Sequence, residues 1–470
     1  MSLLRTKPII EHPASELHRC LSALDLTLLG IGAIIGAGIF VLTGVAAATK
    51  AGPAIVFSYV LAGFACAFAA LAYAELSAAI GGCGSAYGYA YAGLGELIAW
   101  IIGWDLVLEY GLSTPTVAIG WSGYVANGLA AAGVTLSGAL LHAPGDGGMV
   151  NLPALLIILL LAVFLSIGVQ VSARFNATMV FVKLLAITVF IVVASRHIEP
   201  AYWHPFMPNG WSGVTAGAAY IFFAYIGFDA VSTAAEESIN PKRDLPIGIL
   251  ASLGVCTAIY VVVSALLTGV VSYQSLNVSS PVADVLLRLG YHWASGFIAA
   301  GAIAGLTTVM LVLFYGLTRI FLAMARDGLL PPLFAQVHPR TRTPLKVILV
   351  TGVFMAFVAG FVPLEQVTKL VNFGTLAAFV LVCFGVIMLR YTHPDLPRPF
   401  RTPFSPLVPT LGIIFCAYLM ASLPAVTWLG FAVWLAIGLV FYFGYSRKHS
   451  LLATVPLSSP GSADACHVSE

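Results

Sequence analysis

Apolar runs long enough to cross a lipid bilayer recur along almost the whole chain, a pattern that a soluble core does not accommodate. Bounded by charge, proline or glycine, they fall near 24–48, 53–80, 96–130, 152–170, 176–194 and 214–235, then near 246–271, 295–324, 345–361, 368–389, 407–422 and 427–445. A crossing helix needs about 20 apolar residues, so the predicted fold class is an all-α integral membrane protein of about 12 transmembrane helices. The third and eighth runs exceed one crossing, which predicts tilt or helix continuing past the membrane surface. Only 9% of the residues are charged, against about a quarter in soluble chains. Lipid is the solvent that this composition suits.

Basic residues fix the expected orientation, because loops on the cytoplasmic side carry the excess of lysine and arginine. With the amino terminus inside, sixteen basic residues fall on the cytoplasmic side and four outside, while Lys183 lies within a span. Both termini are therefore expected on the cytoplasmic side of the membrane. Residues 1–23 hold Arg5, Lys7, Glu11, Glu16 and Arg19 and no apolar core, so no cleavable leader is expected. Residues 24–445 form the predicted transmembrane domain, and 446–470 read as a disordered tail. The segment 132–151 reads as an extracellular loop. The seven cysteines lack the short paired spacing of metal or redox sites, so no cofactor is expected. A net charge of +2 gives no reason to expect nucleic acid, and no protein partner is evident.

Two of the runs are interrupted. GAIIGAGIF at 32–40 breaks the first, and FFAYIGFDAVSTAAEE at 222–237 breaks the sixth. Such matched interruptions, five spans apart, are what inverted-repeat transporters place around a midplane substrate. A break inside the membrane frees N–H groups at one half-helix start and carbonyls at the other half-helix end. An amino acid zwitterion complements both: its carboxylate on the N–H groups of Gly36, Ala37 and Gly38, its ammonium on carbonyls such as that of Ile34. Small residues also serve close helix packing, but their paired occurrence with Asp229 in the second break favours a binding site.

Ionisable residues inside spans are costly and are functional candidates by default. Here they are Glu75, Asp105, Glu109, Lys183 and Asp229, with Glu236 and Glu237 near the end of the sixth span. An ammonium withdrawn from water is expensive to keep charged, so Lys183 is a candidate proton carrier. The alternatives are a fixed cation against helix-end carbonyls and a purely structural tether. Glu109 stands where it would meet a positive substrate side chain, cap a neighbouring helix or face a vestibule, with Asp105 one turn earlier on the same face. Glu75 reads as structure at the cytoplasmic end. Phe223, Tyr225 and Phe228 stand beside the second break, and Phe228 is the candidate to close over bound cargo.

Four stretches carry a family resemblance: LSALDLTLLGIGAIIGAGIFVLTG at 21–44, GSAYGYAYAGLGELIAWIIGWDLVLEY at 84–110, GFDAVSTAAEESINPKRDLPIGIL at 227–250 and AMARDGLLPP at 323–332. In them the sequence resembles the amino acid–polyamine–organocation superfamily, and within it the bacterial twelve-span form of the cationic amino acid transporter family. The resemblance implies the fold of the sodium-coupled leucine transporter, with repeats at about 24–194 and 214–389 and two peripheral helices at about 407–445. It implies a carboxylate site on Gly36, Ala37 and Gly38, and an ammonium site on carbonyls of Ile34, Phe223, Ala224 and Ile226, with Phe228 as gate. It matches Lys183 to the span-five lysine that takes the place of a sodium ion in bacterial relatives, which favours proton coupling, and puts Met310 where the room for the side chain is limited. Ala37 departs from relatives with serine there, leaving backbone donors alone. Gly81, Gly82 and Cys83 lack the proline or basic residue often found before GSAY.

The expected function is proton-coupled amino acid symport by alternating access, with the bilayer, the proton and a small-molecule amino acid as partners. An exchanger or polyamine carrier on the same fold, and a non-transporting amino acid sensor, are the alternatives. No arrangement of nucleophile, base or metal ligands suggests an enzyme. Glu109 and Asp229 favour a cationic cargo side chain; Met310 and the apolar surroundings favour a small neutral one.

Overall fold

The computed structural model describes residues 5–7, 21–80, 85–131, 133–166, 173–235, 238–338 and 343–454. Among them the chain is helical with no strand, and its β pairing is an isolated bridge between Leu21 and Ser238. The main helices are α1 (Ala23–Ile34), α2 (Ile55–Ala79), α3 (Glu96–Ala131), α4 (Leu152–Ser166), α5 (Ala173–Ala194) and α6 (Gly210–Ile221). They continue as α7 (Pro241–Val270), α8 (His292–Arg326), α9 (Leu345–Phe361), α10 (Leu364–Thr392), α11 (Leu407–Ala421) and α12 (Ala425–Phe441). Among the described residues, eight helical stretches are long and apolar enough to cross a membrane, with α4, α9 and α11 as shorter apolar helices. The first stretch, Ala23–Ala79, runs for 57 residues, well over twice the ~20 that one crossing needs, and Gly52 at φ 63° divides it.

Local chemistry explains where the helices begin. Ser22 and Asp25 form a reciprocal capping box at the start of α1, each side chain bonding the other's backbone N–H. Pro241 opens α7 at a position where a missing N–H costs nothing, and Asp244 accepts from the Asn240 N–H at 3.2 Å. Two short helices escape the hydropathy reading, Ser85–Gly93 and Pro281–Arg288, because neither is long enough to register as a span.

The most extensive helix contacts are α2 with α7, α3 with α8, α1 with α7, α3 with α10, α10 with α11, α4 with α9, α5 with α8 and α2 with α6. The centre of the bundle is buried; the rim is not. Val426 and Val440 on α12 are 80% and 74% exposed, the pattern of a helix whose neighbour is lipid. α12 is fastened by its other face. The Trp100 ring stacks on Trp104 and Phe441, and Trp104 stacks on Trp434 with centroids 4.6 Å apart. The Trp104 indole N–H donates to the Trp434 carbonyl, the Trp434 indole returns the bond to Trp104, and the Trp100 indole donates to Gly438.

Within the tail read as disordered from 446, short helices cover Arg447–His449 and Leu451–Thr454, with Ser450 extended between them. The physical reason is polar satisfaction: Ser446 donates to the Leu329 carbonyl, and Ser450 donates to the buried Glu96 carboxylate, which also accepts from Tyr442. Residues 455–470, Gly81, Gly82, Cys83, Glu236 and Glu237 lie outside the described residues.

Glu75 staples helix ends together, as its reading as end structure supposed. Its carboxylate accepts from Arg390 Nε at 2.9 Å and Nη2 at 2.6 Å, and from the Thr402 N–H at 2.8 Å. Arg398 Nε lies 3.4 Å away. Glu75→Ala takes the carboxylate away from both guanidiniums, and the expected loss is about 2 kcal/mol, toward the low side because Arg390 retains contact with solvent and both arginines keep backbone carbonyl acceptors. Thermal unfolding in detergent measures it; an unchanged midpoint would contradict the assignment.

Candidate substrate site

Both interruptions expected from the sequence are present. Helix α1 ends at Ile34, Ile35 is extended (φ −73°, ψ 98°), and helix resumes at Gly38 as a π-helical segment, Gly38–Leu42. Helix α6 ends at Ile221, tightens into a 3₁₀ turn over Phe222–Tyr225, and opens at Ile226 (φ −60°, ψ 134°) before restarting at Ala230. Glycine is required at two points. Gly227 takes φ 118°, and a Cβ there would lie 2.9 Å from the Ala33 carbonyl carbon. A Cβ on Gly38 would collide with the backbone of Ala224. The two breaks therefore touch through main chain, not through side chains.

Irregular backbone at membrane depth must have its polar groups met by protein. Side chains from neighbouring helices do much of this here. Lys183 on α5 is fully buried and donates to the Gly32 and Ile35 carbonyls at 2.7 and 3.0 Å, a cation placed at the negative end of α1. The Tyr260 hydroxyl of α7 lies 2.8 Å from both the Ile34 and Ala224 carbonyls, bridging the two breaks. Asn372 of α10 donates to Ala219 and Tyr220 at the end of α6, and Tyr124 of α3 donates to Phe40. Of these only Lys183 stands out in sequence, as a charge in an apolar run. Tyr260, Asn372 and Tyr124 sit in runs where a hydroxyl or amide is unremarkable until the breaks are seen opposite them.

Between the breaks lies a cavity of about 10 Å³, room for about one water. Ala33, Ile34, Gly36, Ala37, Gly38, Phe223 and Ile226 line it from the breaks. Opposite stand three aliphatic side chains, Val117 of α3 and Val309 and Leu313 of α8, none of which the sequence singled out. The N–H groups at Gly36, Ala37 and Gly38 precede the first turn of the resumed helix, where a helix start leaves its donors without intrahelical partners.

The other candidates sit outside this lining. Ala224 is behind it, against Gly38. Phe228 packs edge-on to Tyr73 at 5.8 Å and against Phe379 at 5.0 Å. Asp229 turns back on its own break, accepting from the Gly227 N–H at 3.2 Å and from the Tyr110 hydroxyl at 2.8 Å. Met310 is fully buried on α8 beside the lining residue Val309. Glu109 is buried near Thr375 of α10, and Asp105 lies against Gly374; none of their carboxylate oxygens has a hydrogen-bond partner among the described residues.

The comparisons agree with this geometry. Residues 21–450 match the family described as amino acid permease. The chain is 51% identical over 442 residues to the branched-chain amino acid permease BcaP of Bacillus subtilis (strain 168), covering 93% of this chain and 95% of that protein. It is 50% identical over 457 residues to the methylthioribose transporter of the same organism, covering 96% and 99%. Cationic amino acid transporter 4 of Homo sapiens is 32% identical, covering 95% and 90%. With its apolar helices, its two broken helices and a match across nearly its full length, the chain belongs to the amino acid permease family and is a multi-pass membrane transporter, not an enzyme.

Proposed function

We propose that the protein carries neutral, aliphatic amino acids across a bacterial cytoplasmic membrane by alternating access, as a proton symporter. The observation that carries this reading is the two-sided cavity: main-chain polar groups from both breaks on one side, Val117, Val309 and Leu313 on the other. The chemistry of its walls suits a zwitterion with a branched aliphatic side chain once the cavity, closed here to about one water, opens, the carboxylate meeting the N–H groups of Gly36, Ala37 and Gly38 and the ammonium meeting carbonyls of Ile34, Phe223, Ala224 and Ile226. Phe228, Met310, Glu109 and Asp229 act from behind the lining, Phe228 as a gate and Met310 as a limit on side-chain room. With no carboxylate among the lining residues, a cationic side chain has no partner there. The similarity to a branched-chain amino acid permease supports the same reading.

The architecture we propose is twelve spans, α1 to α12 with the broken helices counted once each, both termini in the cytoplasm, and a five-plus-five inverted repeat followed by α11 and α12. The packing supports it. Shifting helix numbers by five exchanges α1–α7 with α6–α2 and α3–α10 with α8–α5, and returns α2–α7, α3–α8 and α4–α9 to themselves. A repeat of five crossings, being odd, is necessarily inverted.

A competition panel against labelled isoleucine in proteoliposomes tests the cargo. Valine, leucine and isoleucine are expected to compete at least about tenfold more strongly than lysine, the worth of burying two or so methylene groups against the aliphatic wall. Lysine competing as well as isoleucine would refute the neutral reading. The methylthioribose transporter's similarity supports a second reading, a neutral thioether sugar, so methylthioribose belongs in the panel. Counterflow with preloaded substrate separates symport from exchange.

A further inference from the structure

The first break does not resume as an ordinary helix. Gly38–Leu42 is a π-helical turn, in which the Gly38 carbonyl accepts from the Thr43 N–H, five residues on where an α-helix uses four. Such wide turns are rare and frequently mark functional sites. With roughly 3.6 residues per α-helical turn, one extra residue rotates the two sides of the turn by about 100° relative to each other. The far side cannot absorb that rotation. A Cβ on Gly44 would lie 2.6 Å from the Leu276 carbonyl oxygen and from Pro281 Cβ, so the helix beyond the turn is fixed against its neighbours. A change of register therefore falls on the Gly36–Gly38 edge of the break.

Two hydroxyls in series hold the turn wide. Thr43 Oγ1 lies 3.0 Å from the Gly38 carbonyl oxygen, and the Tyr59 hydroxyl of α2 lies 2.5 Å from Thr43 Oγ1 but 3.4 Å from that carbonyl. Each hydroxyl has one proton to give. The shorter contacts assign them: Tyr59 donates to Thr43, and Thr43 donates to Gly38. Both side chains are fully buried, and neither lines the cavity. Tyr59 is itself fixed to the second break. Its carbonyl accepts from the Tyr225 hydroxyl at 2.8 Å, and its ring packs edge-on to Tyr225 at 6.2 Å and against Tyr260 at 5.2 Å. Tyr225 ends the 3₁₀ turn whose Phe223 and Ala224 carbonyls would meet the ammonium. One tyrosine thus ties the register of the carboxylate side to the ammonium side.

We propose that Thr43 and Tyr59 are positioning residues for the substrate carboxylate. By holding the π register they fix the direction in which the N–H groups of Gly36, Ala37 and Gly38 face, without touching cargo themselves. The proposal rests on the amino acid reading of the inner cavity.

The test uses the full chain in proteoliposomes with labelled isoleucine. Thr43→Val, which keeps the shape and removes the hydroxyl, is expected to raise KM about five- to tenfold with kcat within about twofold of wild type, the effect of losing one buried hydrogen bond that acts on binding. Tyr59→Phe, which keeps the ring packing, is expected to match it. The double variant should be no worse than either single, since both substitutions interrupt the same series of bonds. Thr43→Ser is expected to restore wild-type KM. A readout on the carboxylate separates positioning from support of the fold. Isoleucine amide shares the ammonium and side chain but lacks the carboxylate, so the advantage of isoleucine over it as a competitor should shrink by the same factor in both single variants. Wild-type KM in both, or an equal loss for isoleucine and its amide, overturns the positioning role while leaving the inner site standing. If the wild-type protein neither binds nor moves any amino acid, the amino acid reading falls and this proposal with it.

Discussion

Lys183→Ala is expected to abolish proton-driven accumulation of isoleucine while leaving measurable binding. In the native protein the ammonium is fully buried and spans the Gly32 and Ile35 carbonyls, the last acceptors of α1 before the break. Its removal leaves two carbonyls unpaired in a dry environment, each costing about 1–3 kcal/mol, and leaves the negative end of α1 without a counter-charge. That is enough for a loss of about 100-fold in the rate driven by an inward proton gradient. The pH profile decides what the lysine does. A proton carrier at position 183 requires that uptake lose its dependence on external pH in the variant. A variant that is merely slower, with the wild-type profile, would make the residue a structural tether and assign the proton elsewhere. Lys183→Arg adds a second arm, because a guanidinium stays charged throughout: tethering would survive in it, and coupling would not.

The second large effect is expected at Gly38. A methyl group there has nowhere to go, since it meets the Ala224 backbone and not a side chain that can turn aside. Gly38→Ala should therefore drive the two breaks apart and eliminate uptake, with a thermal midpoint lowered in step, a loss of about 2–3 kcal/mol being typical of forced overpacking. Gly36→Ala is the informative contrast. Its added methyl would sit 3.2 Å from Val309 Cγ2, a side chain able to yield by a few tenths of an ångström. That variant should fold, but with the cavity narrowed its preference should move from isoleucine toward alanine or glycine. If Gly38→Ala transports normally, the close main-chain contact between the broken helices is not needed for function.

Much of this was legible from residues because the costs are local and large. Glycine pairs inside apolar runs and a lone lysine in lipid are expensive enough to announce themselves, and both breaks and Lys183 are where the sequence places them. The partners of the breaks were not legible. Tyr260 lies 226 and Asn372 153 positions from carbonyls they meet, and a hydrogen bond over such a separation depends on how helices are arranged, which a run of apolar residues does not encode. The carboxylates illustrate the same limit. A buried acid signals that something must satisfy it but not in which direction it turns, and Asp229 turns to Tyr110 and its own backbone, not into the cavity lining. Val117, Val309 and Leu313 carry no signal whatever, since aliphatic residues that line a cavity and those that fill a core are the same residues.

The three indole bonds that join α3 to α12 make the last helix part of the machine. An N–H released into hydrocarbon has no substitute acceptor, so α12 must travel with α3 through any rearrangement that exposes the breaks first to one side and then to the other. A chain cut short after α10 would save 78 residues, but Trp100 and Trp104 would then face the lipid.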